Sequence, residues 1–289
     1  MIKLTALVLT VAMMLCVFTG CGSKKEAAVS EAEIVLPDWT SNLSDEGKAA
    51  VKNIISNGKL VVGTSADYAP CEFHTDIDGE DKIVGFEIDY VQFFADQMGV
   101  ELEIVDMSFD NLLISLSKGD FDMVIASIAA TPERCKAVDF SDGYYAADPC
   151  AIIRTEDISK FPDTASLKGK QIITQKGTTL EQVAVEVAGG EENVVYLNKV
   201  PDEVAELLGG KVDAVICDNL TAFGYDAMHE ELTTFVVETS LVFEEAAVGI
   251  QKGNEGLVEA TNYLLSLISD EQQVEWIKEA QILAGVLEE

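Results

Sequence analysis

Basic residues are scarce: 19 Lys and Arg stand against 51 Asp and Glu, a formal net charge of -32 over 289 residues. A field that negative excludes nucleic acid and an anionic membrane face as the main partner. It leaves the ligand open, because a cleft can differ locally from the surface around it. Histidine is scarcer still, at 2 residues. His74 and His229 lack companions for metal binding or acid–base chemistry and read as surface residues. The 6 cysteines include no CxxC pair and no Cys/His spacing of a zinc site. There is no nucleophile elbow, no Ser/His/Asp order and no phosphate loop. No catalytic residue, metal or cofactor is expected.

What is present is a globular chain. Hydrophobic residues make up 48% and charged ones 24%, too apolar for disorder, and the length suits two compact lobes. Residues 1–20 stand apart, with Lys3 before the apolar run Leu4–Phe18, then Thr19-Gly20-Cys21. The run is short for a bilayer span and suits a signal peptide. Small residues before Cys21 resemble the lipobox of bacterial lipoproteins, which implies lipid attachment at Cys21 and anchoring outside the cytoplasm. Residues 21–43 read as a flexible tether. Cys16 falls in the discarded segment. Cys71, Cys135, Cys150 and Cys217 are left as two disulfides, in three connectivities, or as free thiols.

From Ser44 the pattern is α/β. Ser44 caps a helix to Asn57 that Gly58 ends, and Lys59–Thr64 is a strand whose end opens into the loop 65–73. A hairpin turn at 76–81, a helix over 89–99, a strand over 100–105 and a helix over 111–118 follow. Met123–Ile125 is a buried strand that opens into small residues. Thr131 is expected to cap a further helix with Pro132 in its first turn. Cys150–Arg154 carries the chain into a second set, with strands at 171–175, 193–197 and 212–217 and helices at 180–187, 201–208 and 220–228. Strands at 235–237 and 246–251 and helices at 255–269 and 271–279 close the chain. The expected division is lobe 1 over 44–150, lobe 2 over 151–245 and a return to lobe 1 over 246–289, with two crossing strands as hinge.

Eight segments in order carry a resemblance: Gly63–Pro70, Val84–Asp89, Ser108–Leu113, Ala130–Arg134, Asp139–Asp142, Lys168–Lys170, Gly177–Thr179 and Val212–Asp218. The chain from about Lys59 to Glu279 resembles the substrate-binding lipoproteins of amino-acid ABC importers, solute-binding protein family 3. This implies the two-lobed type-II periplasmic-binding-protein fold, each lobe a mostly parallel sheet flanked by helices. It also implies a monomeric receptor that closes on a free polar L-amino acid and delivers it to an ABC permease and its ATPase.

Laid on the residues, the resemblance gives Arg134 as the fork for the ligand α-carboxylate, with backbone donors around Ser127 and Ala129. Thr178 and Thr179, at a helix start, add donors to the same group. Asp218 receives the α-ammonium group, Tyr68 and Phe109 wall the side chain, and Gln175 tunes specificity. Ser65 stands where many relatives have an acid; Asp67, Glu72 and Asp142 are carboxylates available to replace it. Other readings stay open: Arg134 paired with Asp139, Asp218 as a helix cap, Tyr68 and Phe109 as core. The competing class is an enzyme on the same fold, a dehydratase or lyase using a cleft carboxylate such as Glu72. A signalling sensor would need a membrane helix after the lobes.

Overall fold

A computed structural model describes residues 34–287. The expected signal segment, Cys21 and the tether up to residue 33 lie outside the described residues. Among those described, no helix is long and apolar enough to cross a membrane.

The expected tether ends earlier than composition suggests. A 3-10 turn at Asp38–Asn42 packs on the domain, with Trp39 stacked on Tyr263 at 5.7 Å and Leu43 buried. Helix α1 (Asp45–Asn57) is capped as its sequence dictates, Ser44 Oγ accepting from Gly47 N–H and Gly58 closing it at φ 74°. Strand β1 (Lys59–Thr64) leads through β2 (Asp67–Tyr68) and the hairpin β3 (Glu72–Ile77) and β4 (Glu80–Val84). Helix α2 (Phe86–Met98) starts three residues before the apolar stripe suggests. It is followed by β5 (Glu101–Asp106), α3 (Phe109–Lys118) and β6 (Met123–Val124).

The helix expected after Thr131 does not form. Thr131 Oγ1 accepts from Arg134 N–H at 3.3 Å, but only a 3-10 turn over Arg134–Lys136 follows. Strand β7 (Val138–Tyr145) begins two residues later, leaving no room to propagate past the costly first turn.

Beyond β7 the chain enters its second sheet. This is built from β8 (Pro149–Arg154), β9 (Ile172–Gln175), α4 (Leu180–Ala188), β10 (Val194–Leu197), α5 (Val200–Leu208), β11 (Ala214–Asp218), α6 (Asn219–Met228) and β12 (Leu232–Val236). It returns as β13 (Ala246–Gln251), α7 (Glu255–Leu265) and α8 (Asp270–Leu283).

The two sheets give two lobes. The first runs β5-β1-β6-β13-β7, with β5, β1 and β6 parallel and β13 inserted antiparallel between β6 and β7. The second runs β10-β9-β11-β8-β12, parallel at β10-β9-β11 and antiparallel where β8 and β12 join. The chain passes between sheets at 146–148 and again at 237–245. Helix α8 leans on α2 through Trp276 against Tyr90 and Phe93. The turn after α8 brings Val286 beside Gly224 of α6, in the other lobe.

All four cysteines among the described residues are free. Cys150 and Cys217 face each other across β8 and β11 as unbridged thiols.

Candidate ligand-binding cleft

Strand β2 and the ends of β6, β9 and β11 meet at one cavity between the lobes, enclosing about 670 Å3 of space that is partly open to solvent. Tyr68, Phe109, Ser127, Ala129, Arg134, Gln175, Thr178, Thr179 and Asp218 all line it. The pleat explains part of this: strand ends expose backbone and side chains that no neighbouring strand covers, the usual place for ligands in open α/β sheets.

Arg134 is half-buried, its guanidinium 5.5 Å from the Phe109 ring centre. It donates to Ala129 O at 2.8 Å and, across the cleft, to Gly177 O at 3.0 Å. No carboxylate pairs with it among the described residues; Asp139 is taken by Lys252 at 2.6 Å. Burial alone pushes its guanidinium down to about 10. Opposite, the Thr178 and Thr179 backbone N–H groups stand ahead of α4 with no acceptor among the described residues. Thr178 Oγ1 is spent on Gln175 O at 2.8 Å, and Thr179 makes no capping bond. A helix start with free N–H groups, set against an unpaired guanidinium, suits an anion held from both sides.

Asp218, at the end of β11, is buried and has no cation partner among the described residues. One oxygen takes Thr221 N–H at 2.9 Å, so it does cap α6. Its own backbone N–H donates to Tyr68 Oη at 2.9 Å across the cleft. Burial raises its carboxyl, opposed by the bonds from Thr221, Tyr68 and Leu220.

Two expectations change. Ser127 lines the cavity, but its N–H and Oγ both bond Glu87, at 2.9 Å and 2.6 Å, so neither donor faces a ligand. The residue holds φ 46°, a left-handed turn that aims both donors at Glu87. Ser65 is buried beneath the loop rather than in the lining.

Glu72 lines the cavity, its Oε2 buried and without a partner among the described residues. Glu72, Glu87 and Cys71 bring their polar atoms within 4.8 Å of one another. Burial, then the Glu87 carboxyl, pushes Glu72 well above the carboxylate range. Glu87 already accepts from Ser127 and from Tyr144 Oη at 2.8 Å, so the pair reads as a shared proton rather than a metal cage. Ala147, Asp148, Phe243 and Glu244 add to the lining from the two crossings, where sequence periodicity carries no signal.

Asp67 is neither a wall of this cavity nor a solvated loop residue. It lies half-buried between the lobes, accepting from Gln175 Nε2 at 3.0 Å. Burial pushes it up to about 7. Lys176 adds a further tie between lobes, bonding Asp110 at 2.8 Å. Gly177, at φ 84°, permits this approach: a Cβ there would sit 3.0 Å from Asp110 Cβ.

Residues 60–281 match the model of the bacterial extracellular solute-binding proteins, family 3. The arginine-binding extracellular protein ArtP of Bacillus subtilis (strain 168) is 32% identical over 222 residues, covering 76% of this chain and 84% of that one. An amino acid ABC transporter substrate-binding protein from Streptococcus pneumoniae, solved bound to L-arginine, superposes with a TM-score of 0.77 at 36% identity. The match covers 81% of this chain and 98% of that one. An ancestral amino acid-binding protein described as a precursor of cyclohexadienyl dehydratase superposes with a TM-score of 0.70 at 29% identity, covering 79% and 98%.

Proposed function

Because the chain belongs to the bacterial extracellular solute-binding proteins of family 3, we propose that it is the receptor of an ABC importer for a free amino acid, taken up outside the cytoplasm. One observation carries this reading. A half-buried cation, Arg134, and a buried anion, Asp218, face a single cavity from opposite lobes, and neither has an opposite charge beside it among the described residues. Charges left so are costly unless a ligand supplies both partners, and a zwitterion does. The α-carboxylate goes between Arg134 and the start of α4, and the α-ammonium group goes to Asp218. Each lobe holds one anchor, so the ligand favours the closed arrangement by its differential contacts.

The side chain then runs between Tyr68 and Phe109 toward Glu72. A buried carboxyl with an unpaired oxygen favours a cationic side chain, which would draw Glu72 into its ionised form. One relative is named arginine-binding and another was solved bound to L-arginine, and an amino acid of the arginine class is the ligand proposed here.

Cys21 is proposed as the lipid-bearing residue after removal of residues 1–20, holding a monomeric receptor at the membrane for its permease and ATPase. The lobes are proposed to divide at 44–150, 151–245 and 246–289, with 146–148 and 237–245 as hinge.

Titration of the purified protein with each of the twenty amino acids, followed by calorimetry, tests the reading. Saturable uptake of arginine or lysine supports it; folded protein that binds none of the twenty sinks it. The dehydratase precursor among the structural neighbours favours one second reading, in which a protonated Glu72 acts as a general acid. Product formation from a bound substrate would distinguish it.

A further inference from the structure

Gln175 has two N–H bonds and spends both inside the protein. Nε2 donates to Asp67 Oδ1 at 3.0 Å across the cleft and to Asn198 O at 3.1 Å within its own lobe. Among the described residues no donor reaches Oε1, and the residue lines the ligand cavity. Both partners of Nε2 are acceptors, so a flipped amide would press oxygen against oxygen on two sides. Asp67 is itself held: its N–H bonds Ser65 O at 2.8 Å, and the neighbouring Ala66 N–H bonds Asp106 Oδ1 at 2.9 Å.

We propose that Asp67 is a positioning residue for ligand selection, holding the Gln175 amide with its oxygen toward the ligand so that the site favours side chains ending in N–H donors. The inference rests on the amino-acid-receptor reading above and deepens it. The last torsion of a glutamine side chain is broad, so a single pin from Asn198 O leaves the amide free to turn. The second pin, from the opposite lobe, selects one face. It forms when the lobes meet, so the acceptor is set in the same arrangement that encloses the ligand.

Calorimetry with arginine and with citrulline, whose urea oxygen replaces one terminal N–H2, reads the effect on wild type, Asp67→Ala and Asp67→Asn. The side-chain amide protons of Gln175 are followed in parallel by NMR on the ligand-free protein, assigned by their loss in Gln175→Met. Asp67→Ala is expected to cut the preference for arginine over citrulline about tenfold or more, the worth of one charge-assisted hydrogen bond. Asp67→Asn, whose side-chain oxygen accepts the same N–H, is expected to retain the preference. The Gln175 amide signals should move in the alanine variant. An equal loss of both affinities in Asp67→Ala overturns the proposal, as does loss of preference in Asp67→Asn. If the wild type binds no amino acid, the receptor reading falls, and unmoved amide signals in Asp67→Ala separately overturn the hold on Gln175.

Discussion

The hydroxyl of Tyr68 accepts the backbone N–H of Asp218 at 2.9 Å. The aromatic wall of one lobe is thereby fastened to the residue that carries the anion of the other. Wall and anion are set together, and a change at either is felt at both.

Asp218 does two jobs that substitution can separate. Asp218→Asn keeps an oxygen for Thr221 N–H and loses the charge; Asp218→Ala loses both. Both variants are expected to lose amino-acid uptake. Only the alanine variant should also lose about 1 kcal/mol of stability, the usual worth of a helix cap. Calorimetry and thermal unfolding of the two variants decide it, and wild-type affinity in Asp218→Asn would refute the assignment.

Arg134→Ala is expected to cost about 2–5 kcal/mol of binding, roughly 30- to several-thousand-fold in affinity. Arg134→Lys should recover little, since a point charge lacks the planar fork that reaches Ala129 O, Gly177 O and a carboxylate together. Equal titrations of wild type and the lysine variant would argue against a forked contact.

Uptake of a cationic ligand should strengthen as pH rises. The Glu72 carboxyl is raised in the empty site by burial and by Glu87, and a cation beside it lowers it again. Binding therefore releases a proton across the window between those two states, and affinity climbs with pH through it. Calorimetry in buffers of different ionisation heat measures the proton count directly. A neutral ligand such as glutamine should release none.

Glu203 offers a stability prediction outside the cleft. Both its oxygens are buried without a partner among the described residues, and burial pushes its carboxyl up to about 9. An unfolded chain gives up that proton near pH ~4.3. Folding above that pH therefore takes up a proton, and this group's contribution to stability falls as pH rises toward 9. Glu203→Met should raise the unfolding free energy by on the order of 2–4 kcal/mol near pH 8, with the gain shrinking toward pH 5. A gain independent of pH would place the effect in packing instead.

Local signals in the chain marked the elements well. Ser44 and Gly58 bound α1 as their types require, and the apolar runs of β1, β6 and β11 became buried strands. Asp218 was legible as a charge at a strand end, and Arg134 as the cation in the small-residue segment beyond β6. What stayed hidden depends on distance in space. Thr131 has the chemistry of a helix cap, yet the nearness of β7 leaves it only a turn. Ser127 looked like a ligand donor until Glu87, 40 positions away, claimed both its donors. Asp67 and Gln175 lie 108 positions apart, and no periodicity connects them.

Among the ties that join the lobes are Tyr68 to Asp218, Gln175 to Asp67, Arg134 to Gly177, Lys176 to Asp110 and Tyr145 to Asn219. Their consequence is one of timing. Asp218 is buried in a cavity only partly open to solvent, so a solute that is to bridge it to Arg134 gains full entry when these ties part. Capture should then follow a clock set by that opening. The observed rate would rise with solute concentration at first and level off at a ceiling belonging to the protein alone.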